Sequence, residues 1–486
     1  MELNTQVIRS TVWYVATRLW TQLLSWAVTL VLARLLTPKD YGLFAMSLAV
    51  VAFLELFQEF GLGVAIIQRP SMTKQQLNAI FWIVSTASLA IVAVAFLGAG
   101  LVATFYREPR LVWMVRILSL TFLLNSLGMV PYNLLTKEID FKHRSLADGF
   151  GVVASAGVAI ILAYLSYGVW ALVWGHLARA FVRNISLTIF CRWVPGFEIS
   201  LSGMKGIMKF SLQIAGASGI STLSEVANTS IIGRFLGGSD LGLYSMAEGL
   251  GKSNPLHRLS TAVIQQLCFP IFSKLQHESK QLQKYFLRIT KYLAVISLPL
   301  QVGMALVAKD LIHVLLSEKW LPMARILQIF SLGGVLFILL TPSAPLLGAR
   351  GRSDTLLRFS GISAFVIVIA YLIGSQFGLN GVAVGWIIVY PPLRLYMLSL
   401  SLRELDLSMR VYVENISSPL MATVAMTVII LLLGILIHAH TGAVGRLILD
   451  VSVGAASYFM VLFLIDREFG SDVKYMTREL LSFSRS

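Results

Sequence analysis

The segment ARLLTPKDYGLFAM at Ala33–Met46 occurs again, in altered form, as GRFLGGSDLGLYSM at Gly233–Met246. Six of the fourteen positions are identical, and the two copies lie 200 residues apart. Two further pairs of segments share nearly the same offset: VRILSL at 115–120 with ARILQI at 324–329, and YGVWALVWG at 167–175 with FGLNGVAVG at 377–385. Three echoes in one register indicate an internal duplication, and this duplication decides the fold.

Composition places the duplicated chain in a membrane. Of its 486 residues, 57% are hydrophobic and 13% are charged, whereas soluble domains carry about 25% charged residues. Apolar runs long enough to cross a hydrocarbon layer of about 30 Å fill most of the chain. We predict an all-α membrane protein with fourteen transmembrane spans, at Ser10–Leu36, Tyr41–Ile67, Leu77–Phe105, Leu111–Leu135, Leu146–Leu165, Gly168–Trp193, Ile207–Leu236, Leu241–Ile271, Tyr285–Leu316, Leu321–Leu347, Thr355–Gln376, Gly378–Leu402, Tyr412–Ile437 and Gly445–Ile465.

The order of these spans predicts two pseudo-symmetric six-helix bundles around a central cavity. Because six is an even number, the second bundle enters the membrane in the same direction as the first, which is a parallel repeat with its axis along the membrane normal. We expect an N-terminal lobe at 1–194, a cytoplasmic linker, PGFEISLSGMKG, at 195–206, a C-terminal lobe at 207–405, and two additional helices with a cytoplasmic tail at 406–486.

Positive residues set the expected orientation. Lys and Arg are concentrated after the even-numbered spans, and such residues are retained on the cytoplasmic side, so both termini are predicted to be cytoplasmic. The first apolar run is full length, contains Arg18 and lacks a small-residue cleavage site, so we expect a retained span and no signal peptide. Topology and attraction to anionic lipid heads explain the net charge of +15 better than nucleic-acid binding does.

Metal and cofactor chemistry is not indicated. The two cysteines, Cys191 and Cys268, lie within or at the ends of spans and predict neither a disulfide nor a metal framework. His438 and His440 are too few and too near a span end to predict a metal site. Loops between the core spans are short, so any function is expected inside the membrane, and we expect no cofactor.

Polar residues inside the spans predict the functional site. An ionisable group at the centre of a spanning helix costs roughly 2.5–3.5 kcal/mol, so it is expected to face a wet cavity or a partner. Pro255 in the eighth span removes a helical hydrogen bond, which a lipid-exposed helix could not easily absorb. The candidate cavity residues are Arg18 and Gln22 in span one, Glu55, Gln58 and Glu59 in span two, Glu225 and Asn228 in span seven, and Glu248, Lys252, Asn254 and Arg258 in span eight.

Several of these residues also have a structural interpretation. Glu248 and Lys252 stand one helical turn apart and could neutralise one another. Arg18 could extend its long side chain to the interface. Glu55 and Glu59 could form hydrogen bonds between helices without touching any cargo. Further cations and polar groups near span ends are better explained as interfacial anchors and topology signals, namely Arg34, Arg234, Asp148, His176, Arg179 and Arg183.

Three segments resemble the MOP flippase superfamily, in particular its polysaccharide-transporter branch of Wzx-like, colanic-acid-type exporters. They are LLTPKDYGLFAMSLAV at 35–50, FQEFGLGVAIIQR at 57–69 and EIDFKHRSLAD at 138–148. The resemblance implies a flippase, and not an enzyme, that moves undecaprenyl-pyrophosphate-linked exopolysaccharide repeat units. Transfer would run from the cytoplasmic to the periplasmic leaflet of a bacterial inner membrane by alternating access.

The same resemblance implies that spans one, two, seven and eight line the cavity, and these are the spans that carry the candidate residues. Cationic Arg18, Lys252 and Arg258 could hold the pyrophosphate, since guanidinium groups suit phosphate oxygens. The carboxylates and amides could bind sugar hydroxyls or a coupling cation. Coupling to H⁺ or Na⁺ is left open, and membrane lipids and a polysaccharide polymerase or chain-length regulator are expected as partners.

Two other functions compete with this prediction. A MATE-like cation-coupled drug or metabolite antiporter of the same superfamily would carry cationic cargo, and a cavity holding several arginines and lysines argues against it. A membrane polysaccharide polymerase or ligase would need a sizeable loop or domain for its sugar donor, and the short loops argue against it.

Overall fold

The computed structural model describes residues 2–58, 62–69, 71–198, 200, 204–251, 268–436 and 441–466, with helix backbone alone at 2–16, 18, 19 and 204–218. This described part contains helices and no strand. A 3₁₀ helix covers Glu318–Met323. The α-helices are α1 Glu2–Leu35, α2 Pro38–Glu55, α3 Leu62–Gln68, α4 Lys74–Tyr106, α5 Leu111–Lys137, α6 Phe141–Tyr164, α7 Val169–Cys191, α8 Met204–Gly251, α9 Ser279–Leu306, α10 Ala308–Leu315, α11 Ala324–Leu339, α12 Ser343–Ala349, α13 Ser353–Ser375, α14 Gly378–Glu404, α15 Met409–Asn415, α16 Ser417–Leu436 and α17 Ala443–Ile465.

Within the described residues, nine helical segments are long and apolar enough to cross a membrane. They coincide with predicted spans three to five and nine to fourteen. The other five predicted spans fall on α1, on α2 with α3, on α7 and on α8, and these helices carry ionisable residues that reduce their apolar character. The chain is therefore a multi-pass, all-helical membrane protein, as predicted, while the total of fourteen spans stays a prediction.

The repeated segment interrupts the helices in both of its copies. In the first copy α1 ends at Leu35 and α2 begins at Pro38, where the Thr37 hydroxyl accepts from the Asp40 N–H and the Asp40 carboxylate accepts from the Thr37 N–H. This capping box satisfies backbone donors that a new helix leaves exposed. In the second copy Gly237, with φ of 83°, breaks α8. The helix of predicted span seven therefore leads directly into that of predicted span eight, with a break at this one glycine.

A second pair of echoing segments has matching backbone geometry. Gly168, with φ of 57°, precedes α7, and Gly378, with φ of 74°, begins α14. Positive φ is readily adopted by glycine because it has no Cβ. The two glycines occupy equivalent positions in the segments at 167–175 and 377–385, so the duplication predicted from sequence is also present in the backbone.

By internal contacts the chain forms two units, Met1–Ser245 with Ala364–Val382, and Met246–Ser363 with Ala383–Ser486. In the first unit, α4, α5, α6 and α7 pack closely on small side chains. A Cβ at Gly175 would lie 2.9 Å from that of Ala159, and the backbone at Gly128 leaves space only for the Asn184 side chain. Small residues let helices approach closely in lipid, where packing drives association. The predicted lobe boundaries stay predictions.

The second unit is built around α9, which also receives the last two helices. The hydroxyl of Tyr458 in α17 donates to the Val295 carbonyl at 2.8 Å, and Lys291 Nζ lies 2.6 Å from Asp466 Oδ2. Residues of α16 and α17 share an apolar cluster with Val295. α16 and α17 therefore pack on α9, while their predicted status as an addition to two six-helix bundles stays a prediction.

The first half of the predicted linker is fixed to α4. The Gly196 N–H donates to Asn78 Oδ1 at 3.0 Å, Trp82 Nε1 donates to the Gly196 carbonyl at 3.0 Å, and Asn78 Nδ2 donates to the Glu198 carbonyl at 3.0 Å. The Phe197 ring stacks on Trp82. This half therefore lies along the start of α4, although its glycines and polar residues are typical of a segment that can bend.

Candidate functional site

The described candidates of the first two spans lie in different environments. Gln22 is half-buried in α1, and Glu55 is exposed at the end of α2. Gln58 is buried, and its Nε2 donates to Ser88 Oγ at 2.9 Å and to the Phe122 carbonyl at 2.8 Å. Both amide hydrogens of Gln58 are thus used in joining α4 and α5, and its contact with cargo stays a prediction.

The described candidates of the seventh and eighth spans share α8. Glu225 is exposed, and Asn228 and Glu248 are half-buried. Asn228 Oδ1 is buried and accepts no hydrogen bond from any part of the chain that the structure describes. A buried amide oxygen without a donor is costly in a dry site, so Asn228 is the described candidate best suited to accept a hydrogen bond from a ligand or water.

The other candidates cannot be placed at the level of side chains. Arg18 lies in α1, where the helix backbone alone is described. Glu59, Lys252, Asn254 and Arg258 lie outside the described residues. Their predicted roles stay predictions.

A cavity of about 320 Å³ lies between α2, α4 and α8. Its lining is apolar apart from Tyr106 and Ser230, whose hydroxyl oxygens are 2.9 Å apart. Val226 and Ser230 provide the wall from α8. At 3.6 residues per turn, Asn228 lies on the opposite side of α8 from this wall, and Glu225 also lies off the wall. The faces of α2 and α8 at this cavity are therefore apolar, and Asn228 and Glu225 lie on other sides of α8.

The two copies of the repeated segment contact each other reciprocally. A Cβ at Gly42 would overlap the Gly238 carbonyl oxygen, and a Cβ at Gly242 would overlap the Pro38 carbonyl oxygen. With the 200-residue offset, Gly42 corresponds to Gly242 and Pro38 to Gly238, so each contact is the symmetry mate of the other. Such mutual pairing is the signature of an isologous contact. We call these four residues the repeat junction.

Neighbouring side chains support the repeat junction. Lys39 Nζ lies 2.8 Å from Glu108 Oε1 at the end of α4. Gly233, at the start of the second copy, lies against Met46 of the first copy and Tyr106 of α4. Burial raises the pKa of the Asp240 carboxyl above its usual value. The junction follows predicted spans one and seven. Since Lys and Arg are concentrated after the even-numbered spans, this end of the helices is predicted to be periplasmic.

The structure also reveals two oriented arginines that sequence reasoning discounted or missed. Arg183 Nε donates to Asp148 Oδ1 at 2.7 Å, and its guanidinium carbon lies 5.0 Å from the centre of the Tyr132 ring. Arg394 Nε donates to the Tyr390 hydroxyl at 2.6 Å, with its guanidinium over that ring at 5.0 Å. Their depth within long apolar helices was the available signal, because a charge there requires compensation.

Metal ligation has no obvious location in the described part of the chain, where no group of three or more His, Cys, Asp or Glu side chains comes together. The candidate residues whose side chains are described are carboxylates and amides, which accept hydrogen bonds and, in the case of the amides, also donate them.

Known proteins are similar to this chain in sequence and in fold. Residues 31–325 match the model of a family described as polysaccharide biosynthesis protein. The chain is 26% identical over 467 residues to the teichuronic acid biosynthesis protein TuaB of Bacillus subtilis, covering 91% of this chain and 94% of TuaB. It is 26% identical over 482 residues to the succinoglycan biosynthesis transport protein ExoT of Rhizobium meliloti, covering 99% of this chain and 96% of ExoT.

Among solved structures, the fold is similar to that of the lipid II flippase MurJ in an inward closed conformation. The TM-score is 0.74 with 15% sequence identity, and the match covers 94% of this chain and 99% of that one. At this identity the similarity establishes a common fold, and the cargo of MurJ belongs to MurJ.

Proposed function

Because the chain belongs to the polysaccharide biosynthesis protein family, in the polysaccharide-transporter branch of the MOP flippase superfamily, we propose that it is a lipid-linked oligosaccharide flippase. Its cargo is an undecaprenyl-pyrophosphate-linked exopolysaccharide repeat unit, moved from the cytoplasmic to the periplasmic leaflet of a bacterial inner membrane. The family membership predicted from the segments at 35–50, 57–69 and 138–148 is confirmed, and it is the observation that supports this function most strongly.

The proposed architecture has fourteen spans, arranged as two six-helix bundles followed by two further helices, with both termini in the cytoplasm. The matching glycines at the starts of α7 and α14 and the reciprocal repeat junction support the duplication. A polar path lined by spans one, two, seven and eight is the site of transfer.

The physical problem for such a protein is the cargo's head group. A pyrophosphate bearing sugars is strongly polar and cannot cross hydrocarbon unaided, whereas a polyprenyl tail stays in lipid. Arg18, Lys252 and Arg258 hold the pyrophosphate through charge-assisted hydrogen bonds. The carboxylates and amides at Gln22, Glu55, Gln58, Glu59, Glu225, Asn228, Glu248 and Asn254 bind sugar hydroxyls or a coupling cation.

Alternating access requires that one end of the path be closed while the other is open. The repeat junction lies at the predicted periplasmic end, and its glycines allow the two backbones to touch. We assign to this junction the closing of that end, so that it separates when cargo leaves. Membrane potential assists the outward movement of an anion by about 2.3 kcal/mol per charge per 100 mV, and coupling to H⁺ or Na⁺ would add to this.

Arg18→Ala and Arg258→Ala are each expected to reduce polymer export, because either change removes a cation from the path of the pyrophosphate. The measurement is surface polymer in the host strain, normalised to the amount of each protein in the membrane. We expect a decrease of about tenfold, since a hydrogen bond to a charged group contributes about 1.5–3 kcal/mol.

The matched control is Arg410→Ala, because Arg410 is an exposed cation whose one ion-pair partner among the described residues is Glu414, one helical turn away. This control is expected to export normally. Full polymer yield from both Arg18→Ala and Arg258→Ala at normal expression would show that these side chains do not contact the cargo.

A further inference from the structure

Arg183 and Arg394 lie at nearly equivalent positions in the two halves of the chain. Arg183 follows Gly168 by fifteen residues, and Arg394 follows Gly378 by sixteen residues. At 1.5 Å per residue, the two arginines lie roughly 21–24 Å from the starts of α7 and α14. The duplicated fold therefore carries an arginine at the same depth in each repeat, in the part of the spans nearer the predicted cytoplasmic face.

Both arginines are held in the same way. Each guanidinium lies over an aromatic ring from the helix that precedes it by two spans, Tyr132 of α5 for Arg183 and Phe337 of α11 for Arg394, at 5.0 and 4.8 Å. Each also donates its Nε hydrogen to a fixed oxygen, of Asp148 and Tyr390 respectively. Stacking and one hydrogen bond fix the plane of each guanidinium.

The remaining donors of these two groups are unused within the described chain. The Nη1 and Nη2 atoms of Arg183 and Arg394 donate to none of the residues that the structure describes. The side chain of Arg183 is only 28% exposed, and Arg394 is half-buried. An oriented guanidinium with free Nη hydrogens matches two oxygens of a phosphate group, which a lysine ammonium does not match in the same planar manner.

Anchoring at the membrane interface explains the positions of these two arginines less well than ligand binding does. Arg183 and Arg394 lie about 12 and 15 Å from the cytoplasmic ends of α7 and α14, at 1.5 Å per residue. Arg116 provides the contrast, because it also lies over aromatic rings, Trp113 and Phe96, but is only five residues from the start of α5. A charge as deep as that of Arg183 or Arg394 is costly in a membrane, and such charges mark functional sites.

We propose that Arg183 and Arg394 each form a phosphate-binding site, one in each repeat. Each site binds the phosphate groups of one prenyl pyrophosphate through the Nη atoms of its arginine. They act in addition to the predicted residues of spans one and eight. The choice of ligand rests on the proposed flippase function. At the first site Arg144, whose guanidinium carbon lies 4.5 Å from the Tyr132 ring centre, adds a second cation beside the phosphate.

The test counts bound ligand by native mass spectrometry of the full chain in phosphatidylcholine nanodiscs. Farnesyl pyrophosphate is the probe, and farnesol is the matched compound without phosphate. Arg183→Gln and Arg394→Gln are each expected to bind one farnesyl pyrophosphate fewer than the wild-type chain, and the double variant two fewer. Arg116→Gln, which loses the same kinds of contact nearer a helix end, is expected to bind the wild-type number.

Folding is controlled independently of binding. Arg183→Gln leaves Asp148 without its cation, so Arg183→Gln/Asp148→Asn is measured beside it. Arg394 has no carboxylate partner among the described residues, so Arg394→Gln leaves no charge uncompensated there. All variants are compared by thermal unfolding.

Three results would overturn the proposal. The wild-type number of adducts in folded Arg183→Gln/Asp148→Asn and Arg394→Gln would exclude both sites. An equal loss of farnesol adducts would show that the sites bind the prenyl chain. An equal loss of phosphatidylglycerol adducts, measured with that lipid added to the same nanodiscs, would assign the arginines to phospholipid head groups. Loss of export in Arg18→Ala, together with unchanged adducts here, would reject these two sites while leaving the proposed flippase function supported.

Discussion

Gly42→Val and Gly242→Val are each expected to reduce polymer export to about a tenth of wild type or less, because overpacking costs about 1–3 kcal/mol and about 1.4 kcal/mol is a tenfold change in an equilibrium. A side chain at Gly42 would overlap the Gly238 carbonyl, and one at Gly242 would overlap the Pro38 carbonyl. The substitutions act on the state in which the repeat junction is closed, so its population decreases. Export is measured as surface polymer per amount of membrane-inserted protein.

Gly157→Val is the matched control for these substitutions. It adds the same side chain to a glycine of α6 at which a Cβ would meet no atom within 4 Å, so export close to wild type is expected. Normal export by Gly42→Val and Gly242→Val at normal expression would mean that transport does not pass through the closed junction.

A disulfide across the repeat junction is expected to stop export almost completely and reversibly. Lys39 Cγ, at the position that the sulfur of a cysteine would take, lies 3.7 Å from the position of a Cβ at Gly238, so a small rotation of the two new side chains brings their sulfur atoms within bonding distance. The variant Lys39→Cys/Gly238→Cys, made with Cys191 and Cys268 replaced by serine, therefore fixes the junction closed when oxidised. Without separation at this end, cargo cannot leave by alternating access.

Two comparisons isolate the effect of the disulfide. Lys39→Cys alone removes the ion pair with Glu108 without cross-linking, so it is expected to retain most of its export. Reduction with a thiol is expected to restore export by the double variant. Undiminished export by a fully cross-linked protein, as judged by its mobility on a non-reducing gel, would show that the junction does not open during transport.

The repeat was the feature that sequence predicted most fully. Identity at Arg34/Arg234, Gly42/Gly242 and Met46/Met246 indicated duplication. The backbone agrees, because both copies of the repeated segment contain a helix break and Gly168 and Gly378 both have positive φ. Sequence could not predict that the two copies touch each other, because helix periodicity describes each helix alone. The reciprocal contact depends on how the helices are placed in three dimensions.

Polar residues were predicted less completely, for a related reason. Gln58 and Glu59 are neighbours in sequence and were both predicted to line the cavity, yet the Gln58 amide is committed to Ser88 and Phe122. A periodic pattern identifies a polar face without identifying what meets it. Arg183 was attributed to topology and Arg394 was overlooked, because depth within a helix alone does not identify partners such as Tyr132 and Phe337, which come from other helices.

The linker illustrates the same limit. Its glycines and polar residues predict a bend, and its composition contains no indication of a docking surface. Asn78 and Trp82 of α4 supply that surface more than a hundred residues earlier in the chain. Local composition indicates where a chain can bend, while the tertiary contacts decide whether it does.

Reconstituted transfer tests the proposed function most directly. Purified protein is placed in liposomes that contain an undecaprenyl-pyrophosphate-linked oligosaccharide, and a membrane-impermeant glycosidase is added outside. With the wild-type protein, oligosaccharide from the inner leaflet is expected to become accessible to the enzyme, and the oxidised Lys39→Cys/Gly238→Cys protein is expected to prevent this. An inner-leaflet fraction that stays equally protected in liposomes with and without the wild-type protein would contradict the proposal that this chain is a lipid-linked oligosaccharide flippase.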